Sequence, residues 1–372
     1  MPRERSLSSS QANFLQSAGL DALVDSTQTS TLLSGALEGN HFRCEVATGV
    51  WSLHWPRKQR PVGYAPTAAK DRTHDRPDTK TDRNPFDLAN QHMTPPLVHV
   101  VPDPVSPEKP LVRVFENKFP VLTRPDKPGT CTVKASFVES FFPQVSAIGL
   151  HEVVVQHWRY NMCQALMTQT EVQLLFGALK HRFDYLSTVS RFVQLLENHG
   201  VRSGGSLPHP HAQLLGLPVV PGEQTGRYNV ALKYWREHSR ESIFETGLQK
   251  VLSHVGDDAA DRLLLQNEHV VAFVPHAQER AYEMWIMPRR QCHHFSEATE
   301  EEVNALALAS RSCLKMLYAC NDDPDYNILM RTAPSRKIDQ PGNPKTEPMT
   351  LWYRWHLVII PHDNEWGGIK GT

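Results

Sequence analysis

The sequence predicts an α+β protein in which one unit of antiparallel strands and a packed helix occurs twice. The first observation is a helix-capping pair, a threonine followed three places later by a glutamate, found at Thr168 with Glu171 and again at Thr299 with Glu302. The second observation is that one strand-like run precedes each helix and two follow it. We interpret the repeated order as an internal duplication; chance similarity between two common patterns is the alternative.

The elements ahead of the first unit are predicted as an extension, a hairpin strand, a loop and a further strand. Residues 1–40 are rich in Ser, Thr and Gln, which is typical of a partly disordered segment. Val50 to Trp55 follows a turn and predicts a hairpin strand, and Pro110 to Leu122 predicts a strand that ends in a polar turn. Lys70 to Arg83 is mixed in charge and lacks apolar residues, so it predicts a solvated loop.

The strands of the two units follow from their β-branched and apolar runs. In the first unit, His151 to His157 precedes the helix, Arg191 to Gly200 follows it, and the PHPHAQLL segment completes the unit. The corresponding runs of the second unit are Ala281 to Arg290, Tyr326 to Pro334 and Tyr353 to Pro361. When the units are aligned, the paired histidines occur only in the first, so we expect one active site per chain.

Composition and charge restrict the class of function. The chain has 372 residues, enough for two domains, which we place at residues 41–225, with the active site, and 226–372, a degenerate copy. A formal net charge of -1 argues against nucleic acid or an anionic membrane as a partner. No run approaches the roughly 20 apolar residues of a membrane span, and the N-terminus does not resemble a secretory signal. Six cysteines without a C-x-x-C pair predict a reducing, cytoplasmic location.

Three polar residues, His209, His211 and Gln213, alternate along one short extended segment, so their side chains point to the same face. Pro210 lacks an N–H group, which fits an edge strand or a strand end beside a loop. A neutral imidazole is a competent nucleophile near neutral pH, and its attack on phosphorus gives a reactive phosphoramidate. The segment therefore predicts nucleophilic catalysis; a pair of core histidines or of metal ligands is the alternative.

Groups that could support such chemistry lie around the same segment. The attacking ring needs its other nitrogen held as a donor, for example by a backbone carbonyl, so that the tautomer is fixed. The amide of Gln213 can donate to a non-bridging phosphate oxygen. The backbone N–H groups of Gly204, Gly205 and Ser206 can cradle the charge, as glycine-rich turns do.

The segment ENHGVRSGGSLPHPHAQ resembles the active-site segment of the galactose-1-phosphate uridylyltransferase family, the transferase branch of the histidine-triad superfamily. TGVWSLHWPRKQRP, FENKFP, HEVVV and EWGG are similar to further segments of the family or of its ADP-sugar phosphorylase-like relatives, in the same order, over residues 42–368. The resemblance implies tandem histidine-triad-like units and a homodimer in which the second subunit completes the pocket.

The resemblance also implies roles for individual residues. His211 would be the nucleophile that takes a nucleoside monophosphate, while Gln213 and Ser206 would bind the transferred phosphate. The remaining substrate-binding positions would be Asn198 near the phosphate, Arg57 and Arg60 at the base or a phosphate, and Asn117, Lys118 and Phe119 in the nucleoside pocket. The alternatives are a solvated basic strand end for the two arginines and a surface charge for Lys118.

Many members of the family hold a structural zinc ion, and the ligand positions depart from that pattern here. Asn84 and Asp87 stand where the family has two cysteines, Tyr160 stands where it has a histidine, and only His209 remains. An amide and a phenol are poor zinc ligands. We therefore expect no zinc and no other cofactor, and we expect His209 to orient the active-site loop. A second metal, bound by H-x-H in the C-terminal copy of some members, is not expected because Arg354 replaces the first histidine.

The predicted activity is transfer of a nucleoside monophosphate between a nucleotide-sugar and a sugar 1-phosphate, through His211. The alternative is a phosphorylase, in which inorganic phosphate discharges the intermediate and the substrate is a nucleotide-sugar or a dinucleoside polyphosphate. Simple hydrolysis ranks lower, because Gln213 cannot act as a titrating acid. A non-catalytic nucleotide-binding protein is the third alternative; the lost metal ligands favour it and the intact H-P-H-x-Q segment argues against it.

Overall fold

The fold is described from a computed structural model. The residues that the structure describes are 32–34, 40–45, 50–54, 72–79, 83–125, 135–138, 142–253, 262–335 and 347–362. The predicted N-terminal extension and the EWGG segment therefore lie largely or wholly outside the described residues.

A small sheet is formed by strands from the N-terminal part of the chain. Its five strands are β1 (Leu32–Ser34), β2 (His41–Glu45), β3 (Val50–His54), β6 (Ala135–Val138) and β7 (Phe142–Ser146). They lie in the order β1-β6-β7-β2-β3. The predicted hairpin strand is thus confirmed as β3, which pairs antiparallel with β2.

A sheet of ten strands carries the rest of the β structure. The first half of the chain contributes β4 (Leu97–Pro102), β5 (Pro110–Glu116), β8 (Leu150–Val155), β9 (Phe192–His199) and β10 (His211–Leu217). All its pairings are antiparallel. The predicted strand after residue 110 is confirmed as β5, which ends before the Asn117 turn.

The second half contributes β11 (Leu263–Gln266), β12 (Val270–Phe273), β13 (Met284–Pro288), β14 (Tyr326–Arg331) and β15 (His356–Pro361). The strand order across the sheet is β11-β12-β13-β15-β14-β9-β10-β8-β5-β4. The central six strands, β13-β15-β14-β9-β10-β8, are arranged symmetrically. The first strand of each unit, β8 or β13, is outermost among the six, and the second, β9 or β14, lies at the centre. The predicted order of strand, helix, strand and strand is therefore observed twice, and β9 and β14 join the two halves by antiparallel pairing.

Both predicted capping boxes are present, and each begins a long helix. The helix α1 (Gln169–Val189) starts after Thr168, and α4 (Glu300–Asn321) starts after Thr299. In each, the threonine side chain accepts the N–H of the glutamate three places on, while that glutamate accepts the threonine N–H. The other helices are α2 (Gly222–Glu237), α3 (Ile243–Ser253) and the short α5 (Met349–Trp352).

Alternation along the strands separates two faces of the large sheet. Ala212 and Leu214 of β10 and Val154 of β8 belong to the main core, which includes the apolar faces of α1 and α4. Val153 and Val155 belong instead to a small cluster with Phe86. His211 and Gln213 therefore project from the face opposite the two long helices.

Within the predicted solvated loop from Lys70 to Arg83, the described residues 72–79 are mostly exposed, but two of them are not solvated. A short 3-10 helix, Thr73–Asp75, lies within it, and both Thr73 and Arg76 are buried. The cause is a partner distant in sequence, because the carboxylate of Asp323 accepts the Thr73 N–H. None of the helices in the described parts of the chain is long and apolar enough to cross a membrane.

Candidate active site

His211 is the first residue of β10, at a strand end that lies in the middle of the sheet rather than at its edge. Its Nδ1 lies 2.9 Å from the carbonyl oxygen of His209, which can only accept, so Nδ1 carries the proton. Burial lowers the pKa of His211 below its usual range, so the ring is neutral near pH 7. No described residue bonds Nε2, and its lone pair is therefore available for attack.

Gln213 is held by a histidine that the sequence analysis did not single out. The N–H of Val121 donates to Nδ1 of His151, so Nε2 of His151 carries the proton. That nitrogen lies 2.8 Å from Oε1 of Gln213. Burial lowers the pKa of His151 to about 4, which keeps its ring neutral. Since Oε1 is occupied, the amide N–H groups of Gln213 are the ones turned to a ligand.

Asn198 lies beside His211, one step beyond the paired residues Ala212 and Glu197 of β10 and β9. Its Oδ1 accepts a hydrogen bond of 2.7 Å from Nδ2 of Asn327 in β14. The same Asn327 nitrogen donates to the carbonyl of Ser203 at 3.0 Å. A residue of the second unit therefore fixes the amide of Asn198 so that its N–H groups can act as donors.

At two of its three positions, the glycine turn does not offer the expected anion-binding N–H groups. The N–H of Gly204 donates to the Val201 carbonyl, and that of Gly205 donates to the Gly200 carbonyl, so neither is free to cradle a phosphate. A Cβ atom at Gly205 would lie 2.4 Å from the Gly200 oxygen, which explains why glycine is needed there. Ser206, which follows, is half-buried.

In the Asn117 turn, Asn117 lies at the site and Lys118 lies at the surface. Oδ1 of Asn117 accepts the N–H of Phe119 at 2.9 Å, and its Nδ2 lies 3.2 Å from Nε2 of His151. Asn117 therefore adjoins the His151–Gln213 pair. Lys118 is exposed and donates to the Met93 carbonyl at 3.1 Å, which matches the surface alternative. Arg57 and Arg60 lie outside the described residues.

Both ring nitrogens of His209 are occupied. Nδ2 of Asn84 lies 2.9 Å from Nδ1, and Nε2 lies 2.8 Å from the carbonyl oxygen of His157. Burial lowers the pKa of His209 to about 3, so this ring is also neutral. The Tyr160 ring packs 6.0 Å away between centroids. A zinc ion needs the lone pair that Nδ1 gives to Asn84, and the residues in this arrangement do not fit such an ion.

Arg76 fixes the backbone just ahead of the two histidines. It lies in the segment that the sequence predicts to be a solvated loop, so this role was not predicted. Its Nη1 donates to the Pro208 carbonyl at 2.7 Å, and its guanidinium lies 5.5 Å from the centre of the Tyr160 ring. The 3-10 helix that contains Thr73 positions Arg76, and Asp323 of the second unit holds that helix. Burial alone would raise the pKa of Asp323, but hydrogen bonds, chiefly from His199, lower it to about 2.

One group of side chains has the composition of a metal site. Ligand atoms of Asp103, His157 and Glu171 all lie within 4.8 Å of one another. However, the Arg159 N–H donates to Nδ1 of His157, so Nε2 carries a proton and is not a metal ligand. That nitrogen lies 3.6 Å from Oε1 of Glu171, and its proximity lowers the pKa of Glu171 to about 2. The group is therefore better described as a polar support behind His209.

Comparison with known proteins identifies relatives of this chain. The family model described as galactose-1-phosphate uridyl transferase, N-terminal domain, matches residues 34–221. An ADP-glucose phosphorylase of Arabidopsis thaliana is 24% identical over 335 residues, which cover 88% of this chain and 86% of that protein. A galactose-1-phosphate uridylyltransferase of Thermotoga maritima is 28% identical over 260 residues, covering 68% and 74%.

Solved structures show the same fold. The crystal structure of the Arabidopsis thaliana ADP-glucose phosphorylase with bound ADP-glucose superposes with a TM-score of 0.62 at 21% identity, covering 88% of this chain and 91% of that one. A structure described as a uridylyltransferase gives a TM-score of 0.63 at 21% identity, covering 89% of each chain. The α+β prediction of tandem units with antiparallel sheets is thereby confirmed.

Proposed function

The chain belongs to the galactose-1-phosphate uridyl transferase family, and on that premise we propose that it transfers a nucleoside monophosphate from a nucleotide-sugar to a sugar 1-phosphate. The observation that carries the proposal is the state of His211. Its proton is on Nδ1, bonded to the His209 carbonyl, and no described residue bonds Nε2. The nucleophile is therefore fixed in the tautomer that the reaction needs.

In the first displacement, the Nε2 lone pair of His211 forms a bond to the α-phosphorus of the nucleotide-sugar. The bond from that phosphorus to the bridging oxygen breaks, and the electron pair leaves with the sugar 1-phosphate. The ring acquires positive charge, which the Nδ1–H···O bond to His209 stabilises. The amide N–H groups of Gln213 and Asn198 would donate to the non-bridging oxygens, where charge develops.

In the second displacement, a phosphate oxygen of the acceptor attacks the same phosphorus and the N–P bond breaks, which returns the electron pair to Nε2. A hexose 1-phosphate as acceptor gives a new nucleotide-sugar. Inorganic phosphate as acceptor gives a nucleoside diphosphate, which is the phosphorylase alternative. The similarity to the Arabidopsis thaliana ADP-glucose phosphorylase, over 88% of this chain, supports that second candidate.

We propose that the reaction uses no metal at the position of the family's zinc. There, Asn84 bonds both the His209 ring and, through Oδ1, the Phe86 N–H at 3.1 Å. Asp87 accepts the Ala89 N–H at 2.9 Å and so caps the next turn. These hydrogen bonds support the proposal, because they would hold the loop that precedes His211 in place of a metal. We also propose a homodimer in the cytoplasm, which light scattering of the purified chain and localisation of a tagged copy would test.

Covalent labelling tests the proposed intermediate. The full chain is incubated with UDP-glucose and with ADP-glucose, each labelled at the α-phosphorus and without an acceptor. We expect acid-labile, base-stable label on the protein, lost in His211→Ala and kept in His238→Ala, which changes an exposed histidine. Discharge of the label by glucose 1-phosphate or galactose 1-phosphate indicates the transferase, and discharge by inorganic phosphate indicates the phosphorylase. No label with either nucleotide-sugar favours the non-catalytic alternative.

A further inference from the structure

The second unit retains a histidine in the position and ring orientation of the nucleophile. His356 begins β15 as His211 begins β10, and its Nδ1 lies 3.1 Å from the carbonyl oxygen of Arg354, two residues earlier. Across the strand pair, His356 faces Arg331 of β14. By the symmetry of the sheet, Arg331 stands where Asn198 stands beside His211. An arginine thus replaces an amide at the equivalent position.

Several polar atoms around His356 are buried and lack a hydrogen-bond partner among the described residues. They are Nε2 of His356, Nε of Arg331 and the hydroxyl of Tyr353. Tyr353 and His356 both pack on the ring of Phe244, with centroids 5.1 Å and 5.5 Å away, so their side chains lie near one another. Burial raises the pKa of Tyr353 and lowers that of His356. Because a buried polar atom without a partner is unfavourable, these atoms indicate a ligand that would supply the partners.

The carboxylate of Glu223 already pairs with the buried Arg331 of this group. Oε1 of Glu223, in the first turn of α2, lies 2.7 Å from Nη2 of Arg331 and 3.0 Å from Nη2 of Arg227. The Glu223 side chain is 59% exposed, whereas that of Arg331 is 6% exposed. A buried guanidinium therefore has, as its one described acidic partner, a carboxylate that can turn into solvent.

We propose that Arg331, Arg227, Tyr353 and His356 form a second anion site, which binds the phosphate group of a small molecule in place of Glu223. A phosphate offers more acceptor positions than the carboxylate, so it could bond Nη2 and Nε of Arg331 together, as guanidinium–phosphate pairs do. The start of α2 adds the positive end of a helix dipole. The neutral Nε2 of His356 can accept a hydrogen bond from a hydroxyl of the ligand.

The site binds but does not catalyse. The residue two places after His356, where Gln213 stands in the first unit, is Val358, so no amide donor is available to a transferred phosphate. Trp285 stacks on the His356 ring at 4.7 Å between centroids and covers one of its faces. The proposal is independent of whether the first unit is a transferase or a phosphorylase.

Isothermal titration calorimetry of the full chain with pyrophosphate, at constant ionic strength, tests the proposal. Glu223→Gln removes the competing charge and is expected to tighten binding about threefold to fivefold, as for the loss of one exposed ion-pair partner. Glu279→Gln is the matched control, because Glu279 bonds Arg227 at 3.3 Å and has no bond to Arg331. It should change the affinity less than twofold.

Removal of either arginine in the Glu223→Gln background distinguishes pyrophosphate binding at this site from binding at the active site of the first unit. Arg227→Gln and Arg331→Gln should each weaken this binding at least tenfold, while label transfer to His211 stays within twofold of the parent. The Arg227 side chain is 28% exposed, against 6% for Arg331, so its variant should fold even if Arg331→Gln does not. The proposal is overturned if Glu223→Gln and Glu279→Gln bind pyrophosphate alike. It is also overturned if Arg227→Gln leaves the titration unchanged.

Discussion

The bond from His151 to Gln213 allows the orientation of the site to be tested directly. In Gln213→Leu, the amide donor is lost, and loss of a preorganised donor to a developing anion costs roughly 10²- to 10³-fold in kcat. In His151→Leu, the amide remains but its oxygen is released from the 2.8 Å bond. The two substitutions should therefore have very different effects, although both remove one member of the same hydrogen bond.

The size of the His151→Leu effect follows from how the amide can turn. If its two orientations become equally populated, half of the molecules are correct and kcat falls about twofold. If the flipped orientation gains one net hydrogen bond of about 1 kcal/mol, about one molecule in six is correct and kcat falls about sixfold. KM should change little, because the substrate contacts are otherwise kept.

Steady-state kinetics of the two single variants and the double variant provide the assay. If His151 acts through Gln213, the double variant should be no slower than Gln213→Leu alone. His151→Gln, which restores an N–H donor, should recover part of the rate, and circular dichroism should show each variant folded. A His151→Leu loss as large as that of Gln213→Leu, or losses that multiply in the double variant, would refute the positioning role.

Three further predictions concern stability and metal content. Gly205→Ala should destabilise the fold by roughly 1–3 kcal/mol in urea unfolding, because its Cβ would lie 2.4 Å from a backbone oxygen. The control is Gly226→Ala within α2, which should be neutral or stabilising because the added Cβ would meet no atom within 4 Å. The free energy of unfolding should fall as pH drops below about 6.5. The cause is that His151 and His209, with pKa values lowered to about 4 and about 3, stay neutral in the folded state while the same residues of the unfolded chain take up protons. Unchanged unfolding midpoints between pH 7 and pH 5 would contradict this. Protein purified without chelator should hold far less than one zinc per chain by elemental analysis, and EDTA should leave its melting temperature unchanged, whereas stoichiometric zinc would show the reading of Asn84 and Tyr160 to be wrong.

Local patterns were sufficient to predict much of the fold. Each capping box is made within four consecutive residues, so Thr168 and Thr299 could be identified as helix starts without any tertiary information. The alternation of His211 and Gln213 with core residues likewise follows from the strand period. The expected backbone carbonyl that holds the other ring nitrogen of His211 is the His209 carbonyl, two residues away.

Features that depend on distant partners could not be predicted from those patterns. Thr73 is buried because Asp323 accepts its N–H, across 250 positions of the chain. The amide of Asn198 is fixed by Asn327, across 129 positions. His151 is separated from Gln213 by 62 positions. A charged segment such as that around Thr73 is solvated in most proteins, so only the tertiary partner distinguishes this case.

These distant contacts explain why a second unit without the histidine pair is part of the chain. Without β14, β9 would be an exposed edge strand, with unpaired backbone groups next to Asn198. Asn327 of β14 orients Asn198, and Asp323, just before β14, holds the segment whose Arg76 fixes the Pro208 carbonyl. The second unit therefore supplies the strand and two of the side chains that shape the first unit's site. Substitutions at Asn327 or Asp323 should consequently affect the chemistry at His211, although neither residue contacts the reacting atoms.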